Sequence, residues 1–163
     1  MLGEVLVMKK LFALFLIGIV CFALAGCSSS SKTDIEIGKK SEYLIRDDFV
    51  SMEVNNFILD NSSAIFRLIN HTDEIFVYGN PYFIEYNKDG VWYELKPIGE
   101  LNFNLPAFQL VEGESKEIAI NWSGAYGELK PGSYRVVKGF NRESNIVVEQ
   151  DDVIYVAAEL TIK

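Results

Sequence analysis

The residues able to do covalent chemistry in this chain are few, and the first is a cysteine. Leu24-Ala25-Gly26-Cys27 follows an apolar run and precedes the serine string Ser28 to Ser31. Small side chains at Ala25 and Gly26 leave the backbone open to a peptidase. The Cys27 thiol is a nucleophile that can carry a lipid through a thioether. The other cysteine, Cys21, lies upstream within the apolar run. If the chain is cut before Cys27 and the thiol is acylated, what remains has neither a free thiol nor a disulfide. Its core must then hold by packing alone.

The other candidates each lack a partner. His71 is the single histidine and sits in the turn Asn70-His71-Thr72-Asp73. A metal there would need further ligands, and no thiolate can supply them. No Gly-x-Ser-x-Gly elbow accompanies it for nucleophilic catalysis, and no glycine-rich phosphate loop is present. Asp47-Asp48 and Asp151-Asp152 are paired carboxylates, but neighbours in an extended chain point to opposite faces. Together the two pairs flank the first and last strands, where they could converge on a calcium ion or remain solvated loop charge. Glu85 stands in an aromatic strand and Arg67 in an apolar one. A Glu85–Arg67 pair would reconcile both with a buried sheet. Tyr78, Tyr82, Tyr86, Trp92 and Tyr93 cluster in the middle third, with Phe103 beyond them. Aromatics with polar tips suit a partner-binding or glycan-binding face, and equally they fill the core of a small β-domain. No catalytic residue, metal site or cofactor is expected.

The segment that carries Cys27 is an address. Lys9-Lys10 precedes an apolar run from Leu11 to Gly26, shorter than the ~20 residues a spanning helix needs and ending in a cleavage-like site. Leu24 to Cys27 resembles the lipobox of bacterial lipoproteins. The resemblance implies diacylglyceryl transfer to Cys27, cleavage before it and acylation, as with palmitate, of the new amino terminus. Two acyl chains give lasting attachment where one does not. Met8-Lys9-Lys10 is itself a typical signal-peptide opening. Gly3-Glu4-Val5 can be encoded by a tract containing GGAGG, a ribosome-binding sequence, so translation is expected to start at Met8. Residues 1–26 then form a lipoprotein signal peptide and residues 27–46 a lipid anchor with a flexible tether, polar and short of aromatics. Lys32, Lys39 and Lys40 could rest on anionic headgroups or simply solubilise the tether.

Residues 47–163 read as strands and turns. Val50, Met52 and Val54 alternate with Ser51, Glu53 and Asn55, giving one buried face. Ala64 to Ile69 is apolar on both faces apart from Arg67, as a central strand would be. Asp89-Gly90 between two aromatic-rich runs signals a hairpin. Ile118, Ile120 and Trp122 face one way, and Ile154, Val156, Ala158, Leu160 and Ile162 form a continuous apolar face. About eight strands with near-regular turn signals, and no helix longer than a turn, predict an all-β, antiparallel immunoglobulin-like β-sandwich of seven to nine strands. In such sandwiches a tyrosine at the start of a strand tucks its hydroxyl back onto the backbone a few residues upstream. Tyr134, after Leu129-Lys130-Pro131-Gly132-Ser133, is placed to do so.

Several stretches together carry a second resemblance: Leu68 to Asp73, Tyr78-Gly79, Phe83-Ile84-Glu85, Asp89-Gly90-Val91-Trp92-Tyr93, Leu129 to Lys138 and Ala157 to Ile162. In this order and spacing they resemble a bacterial immunoglobulin-like domain found on small surface lipoproteins of Gram-positive bacteria, over about Asp48 to Lys163. The resemblance implies the fold and a place outside the cell, and it carries over no catalytic residue.

The 163-residue chain has a formal net charge of −8. That charge repels nucleic acid and keeps the domain off an anionic bilayer. The expected protein is an extracellular, membrane-anchored, non-catalytic module that binds a protein or an envelope polymer. An accessory or sensor subunit of an envelope enzyme is the alternative. A cell-wall hydrolase would need a concave site with converging polar groups, for which so small a sandwich has little room.

Overall fold

The computed structural model describes residues 36–57, 61–99, 101, 103, 106–145 and 153–163. Cys27, the signal segment 1–26 and Asp151-Asp152 lie outside them. No helix among the described residues is long and apolar enough to cross a membrane.

Period-two alternation builds two antiparallel sheets. The smaller contains β2 (Val50–Phe57), β3 (Ser63–Asn70) and β8 (Ser115–Asn121), with β3 in the middle. Its inner face is Val50, Met52, Ala64, Phe66, Leu68 and Ile120, all buried. The larger has β1 (Ile37–Lys40), β4 (Phe76–Tyr78), β5 (Phe83–Lys88), β6 (Val91–Leu95), β7 (Phe108–Leu110), β9 (Gly132–Arg142) and β10 (Ile154–Ile162). Residues from both sheets join one hydrophobic cluster, so the sheets bury their apolar faces against each other. Trp122 and the single-turn helix α1 (Ser123–Tyr126) follow β8. The buried Trp122 ring donates its Nε1–H to Asn61 O at 3.0 Å.

Strand β9 is the axis of the large sheet. One edge pairs with β10 over nine residues, from Gly132↔Ile162 to Phe140↔Ile154. The other edge is shared: β5 takes Tyr134 to Val137 and β4 takes Phe140 to Arg142. Between Tyr78, opposite Phe140, and Phe83, opposite Val137, four residues (Gly79 to Tyr82) face only two. Pro81 has no N–H to give the ladder. A Cβ on Gly79 would lie 3.0 Å from Pro81 Cδ, so the break is built for a glycine there. The β5–β6 hairpin turns at Asp89 (φ 54°) and Gly90 (φ 81°). Both residues are left-handed, the geometry that matches the strand twist.

Two features differ from the sequence reading. A tether through residue 46 is expected, but residues 36–46 are part of the fold. β1 pairs with β6, and the Ser41 amide then bonds Trp92 O at 2.9 Å. Tyr43 lies 5.3 Å from the Phe83 ring and 4.8 Å from Tyr155, and the Arg46 amide bonds Tyr155 O at 2.8 Å. This strap crosses the outer face of the large sheet from β6 to β10. Its apolar anchor is one tyrosine, which polar composition masks. The second correction is the Glu85–Arg67 pair. The two residues lie in different sheets. Arg67 is on the outer face of the small sheet between its cross-strand neighbours Glu53 and Glu117, at 3.4 and 3.7 Å. Glu85 is fully buried and bonded to Arg135, directly opposite it on β9. Cross-strand register, which a single strand does not reveal, decides both partners.

Tyr134 lies on the inner face of β9, and its hydroxyl donates to Lys130 O at 2.9 Å. Removing only that hydroxyl, in Tyr134→Phe, lowers stability by about 1 kcal/mol, read as a lower urea midpoint at unchanged slope. The Glu85–Arg135 pair gives a larger effect. Arg135→Met strands a buried carboxylate and costs about 3–5 kcal/mol, whereas the double variant Glu85→Leu/Arg135→Met regains most of that loss. Equal losses in the single and double variants would contradict the pairing.

Candidate functional site

Alternation along β9 puts Tyr134, Val136, Lys138 and Phe140 on the inner face. Three of these are ordinary core residues and the fourth is a lysine, only 2% exposed. Its ammonium sits at the strand break, donating to Gly79 O at 2.5 Å and Pro81 O at 3.3 Å. These are carbonyls that the interrupted ladder leaves without a β9 partner. The ammonium also lies 5.2 Å from the centre of the Tyr78 ring, a cation–π distance. Burial pulls the Lys138 pKa down to about 8.

Where Gly79 to Tyr82 leave the ladder, a cavity of about 680 Å3 opens between this break and β8. Tyr78, Tyr82, Phe103 and Phe108 supply its aromatic surface, and Ile118 and Ile120 of β8 face them. Tyr82 links the two sheets. Its hydroxyl donates to Asn121 O at 3.0 Å, and Phe103 meets the ring edge-on at 5.4 Å. Burial pushes the Tyr82 hydroxyl up to about 12 and also raises that of Tyr78, with the Glu114 charge adding to the latter. Two lysines, Lys116 and Lys138, line the cavity, and no carboxylate does among the described residues. Within an acidic chain this recess is cationic and aromatic, chemistry suited to holding an anion.

The five aromatics singled out in the sequence do not form one surface. Tyr78 and Tyr82 are buried in the cavity wall. Tyr86 packs on Tyr134 at 5.3 Å, and Tyr93 lies opposite Tyr86 on β6. Trp92 is on the other face of the sheet, with the Arg135 guanidinium 4.6 Å above its ring. Lys138 is the site residue absent from the sequence-based candidates, although its place in the pattern Tyr134-x-Val136-x-Lys138-x-Phe140 marks it as core-facing.

The remaining candidates stay apart from this recess. His71 Nε2 is 2.7 Å from Ser51 Oγ across β2 and the β3–β4 turn. The imidazole is exposed, and no carboxylate among the described residues holds its other nitrogen. The contact lacks the oriented base a serine nucleophile requires. The calcium reading depends on Asp151 and Asp152, outside the described residues. No group of three or more His, Cys, Asp or Glu able to hold a metal occurs among the described residues.

The family profile of the bacterial Ig-like domain matches residues 46–157, and the chain belongs to that family. Those residues form an Ig-like module. No curated protein matches the sequence. Among solved structures it is similar to selenomethionine-labelled β-glucosidase from Kluyveromyces marxianus, at 15% identity over 74% of this chain, with a TM-score of 0.33. The same enzyme in complex with glucose matches at 15% identity over 70% of this chain, with a TM-score of 0.31. The match spans only 15% and 14% of the chain in those two structures.

Lys138 makes stability depend on pH. Its folded value, about 8, lies below the ordinary 10.5, so between these values the unfolded chain binds more protons and stability rises with pH. The tyrosines with raised values reverse the trend above about pH 10. From pH 7 to 9.5, urea unfolding should show wild type gaining about 2 kcal/mol relative to Lys138→Met. Parallel profiles would remove the buried ammonium from the account.

Proposed function

We propose that the chain is a lipid-anchored, extracellular Ig-like module that holds a protein or envelope partner without catalysis. Acylation at Cys27 supplies the anchor, and the covalent span from Cys27 to Glu36 is at most about 32 Å. The observation that carries the contact is at the edge of the large sheet. Among the described residues β7 pairs with β4 alone, and its Phe108 and the adjoining Val111 are 37% and 44% exposed. An open strand edge flanked by apolar side chains is a surface that a partner can extend or cover. Phe108 also belongs to the cavity wall, so edge and recess form one continuous face.

Photo-crosslinking in intact membranes tests this. A crosslinker at Val111 should give a discrete adduct, whereas one at the exposed Glu159 of β10 should not. Cys27→Ala should release the protein from the membrane fraction or leave its precursor uncleaved, and should abolish the adduct. Wild-type fractionation and processing of Cys27→Ala would overturn the anchor. Equal adducts from both positions would overturn the contact face.

A further inference from the structure

The recess beside Lys138 has a charge that the rest of the fold does not explain. A lysine on the inner face of a sheet is expensive, because burial disfavours its charged form. Satisfying the Gly79 and Pro81 carbonyls engages two of three ammonium protons. A neutral donor could do the same without burying a charge. No carboxylate among the described residues pairs with this ammonium. Glu114, whose charge reaches Tyr78, is not a lining residue, and its carboxylate accepts the Val111 N–H at 2.9 Å. The second lining cation, Lys116 on β8, is half-buried. The volume, about 680 Å3, falls within the range of pockets that enclose one small molecule. Four aromatic rings in the wall favour a flat, apolar ligand body, and one buried monocation favours a monoanion over a phosphate.

We propose that the cavity between β8 and the β4–β5 break is a binding site for a small aromatic carboxylic acid, its carboxylate paired with the Lys138 ammonium and its ring packed against Tyr82 and Phe103. The ligand's negative charge meets an ammonium that no carboxylate among the described residues pairs, and its ring takes the place of water against the aromatic wall. The site does not depend on the anchor at Cys27.

The test is calorimetric titration of the full chain in neutral detergent with 2-naphthoate and with its uncharged isostere 2-naphthamide, each against a detergent blank. At pH 7 naphthoate should bind at least about tenfold more tightly than the amide, a charge-assisted contact being about 1.4 kcal/mol or more. Lys138→Met should erase that preference. A second variant keeps the test decisive if Lys138→Met does not fold. Gly124 lines the cavity, and a Cβ built there meets nothing within 4 Å. Gly124→Trp therefore places a bulky ring at the cavity rim without a clash, and should weaken binding of both probes while leaving the fold intact. Absence of naphthoate binding at millimolar concentration, equal affinity for acid and amide, a preference that survives in Lys138→Met, or undiminished binding to folded Gly124→Trp would each overturn the assignment.

Discussion

The structure depends on how β9 closes a broken edge. β4 and β5 must share one side of that strand, yet Gly79-Asn80-Pro81 cannot continue the ladder between them. Buried carbonyls left unbonded would cost about 1–3 kcal/mol each. Lys138 answers this from the core face, donating to Gly79 O and Pro81 O. The displaced backbone then leaves room for Tyr82 to reach Asn121 O on the opposite sheet. Cavity, cross-sheet hydrogen bond and buried ammonium are three consequences of one interruption.

The same sheet carries a second buried charge on its other face. Glu85 accepts from Arg135, whose guanidinium also stacks on Trp92 and reaches Ser41 Oγ at 3.3 Å. Strap residues 41–46 cover this pair and pack Tyr43 between Phe83 and Tyr155. An ion pair under a strap is weak support for stability but strict about partners, because either charge alone would be stranded. It therefore fixes the register of β5 on β9 and the path of the amino-terminal segment together. No carboxylate among the described residues plays that part for Lys138, whose ammonium is held by backbone carbonyls instead.

Elements with strong period-two alternation could be read from the residues directly. The β2 and β10 faces, the Asp89-Gly90 turn and central β3 are where the pattern places them. Pairing between distant strands could not be read in this way. Glu85 and Arg67 each looked unpaired within their own strands, and only the register of β5 on β9 and of β2 and β8 on β3 assigns their partners. β1 carries no sequence signal because Ile37 to Lys40 is mostly polar and is held by backbone bonds along an edge. The aromatic cluster was visible as composition, but alternation and the β5–β6 hairpin send Trp92 outward and Tyr82 inward. Lys138 was concealed by its type: lysine reads as solvent-facing, although its neighbours at two-residue spacing are all core.

Direct titration of the Lys138 side chain, followed by NMR through its Cε and Nζ resonances in the full-length protein, addresses the central claim most closely. A buried ammonium held on the carbonyls of the strand break should titrate near pH 8. A midpoint near the ordinary 10.5 would place Lys138 in solvent, and the interrupted edge would have to be closed by some other group.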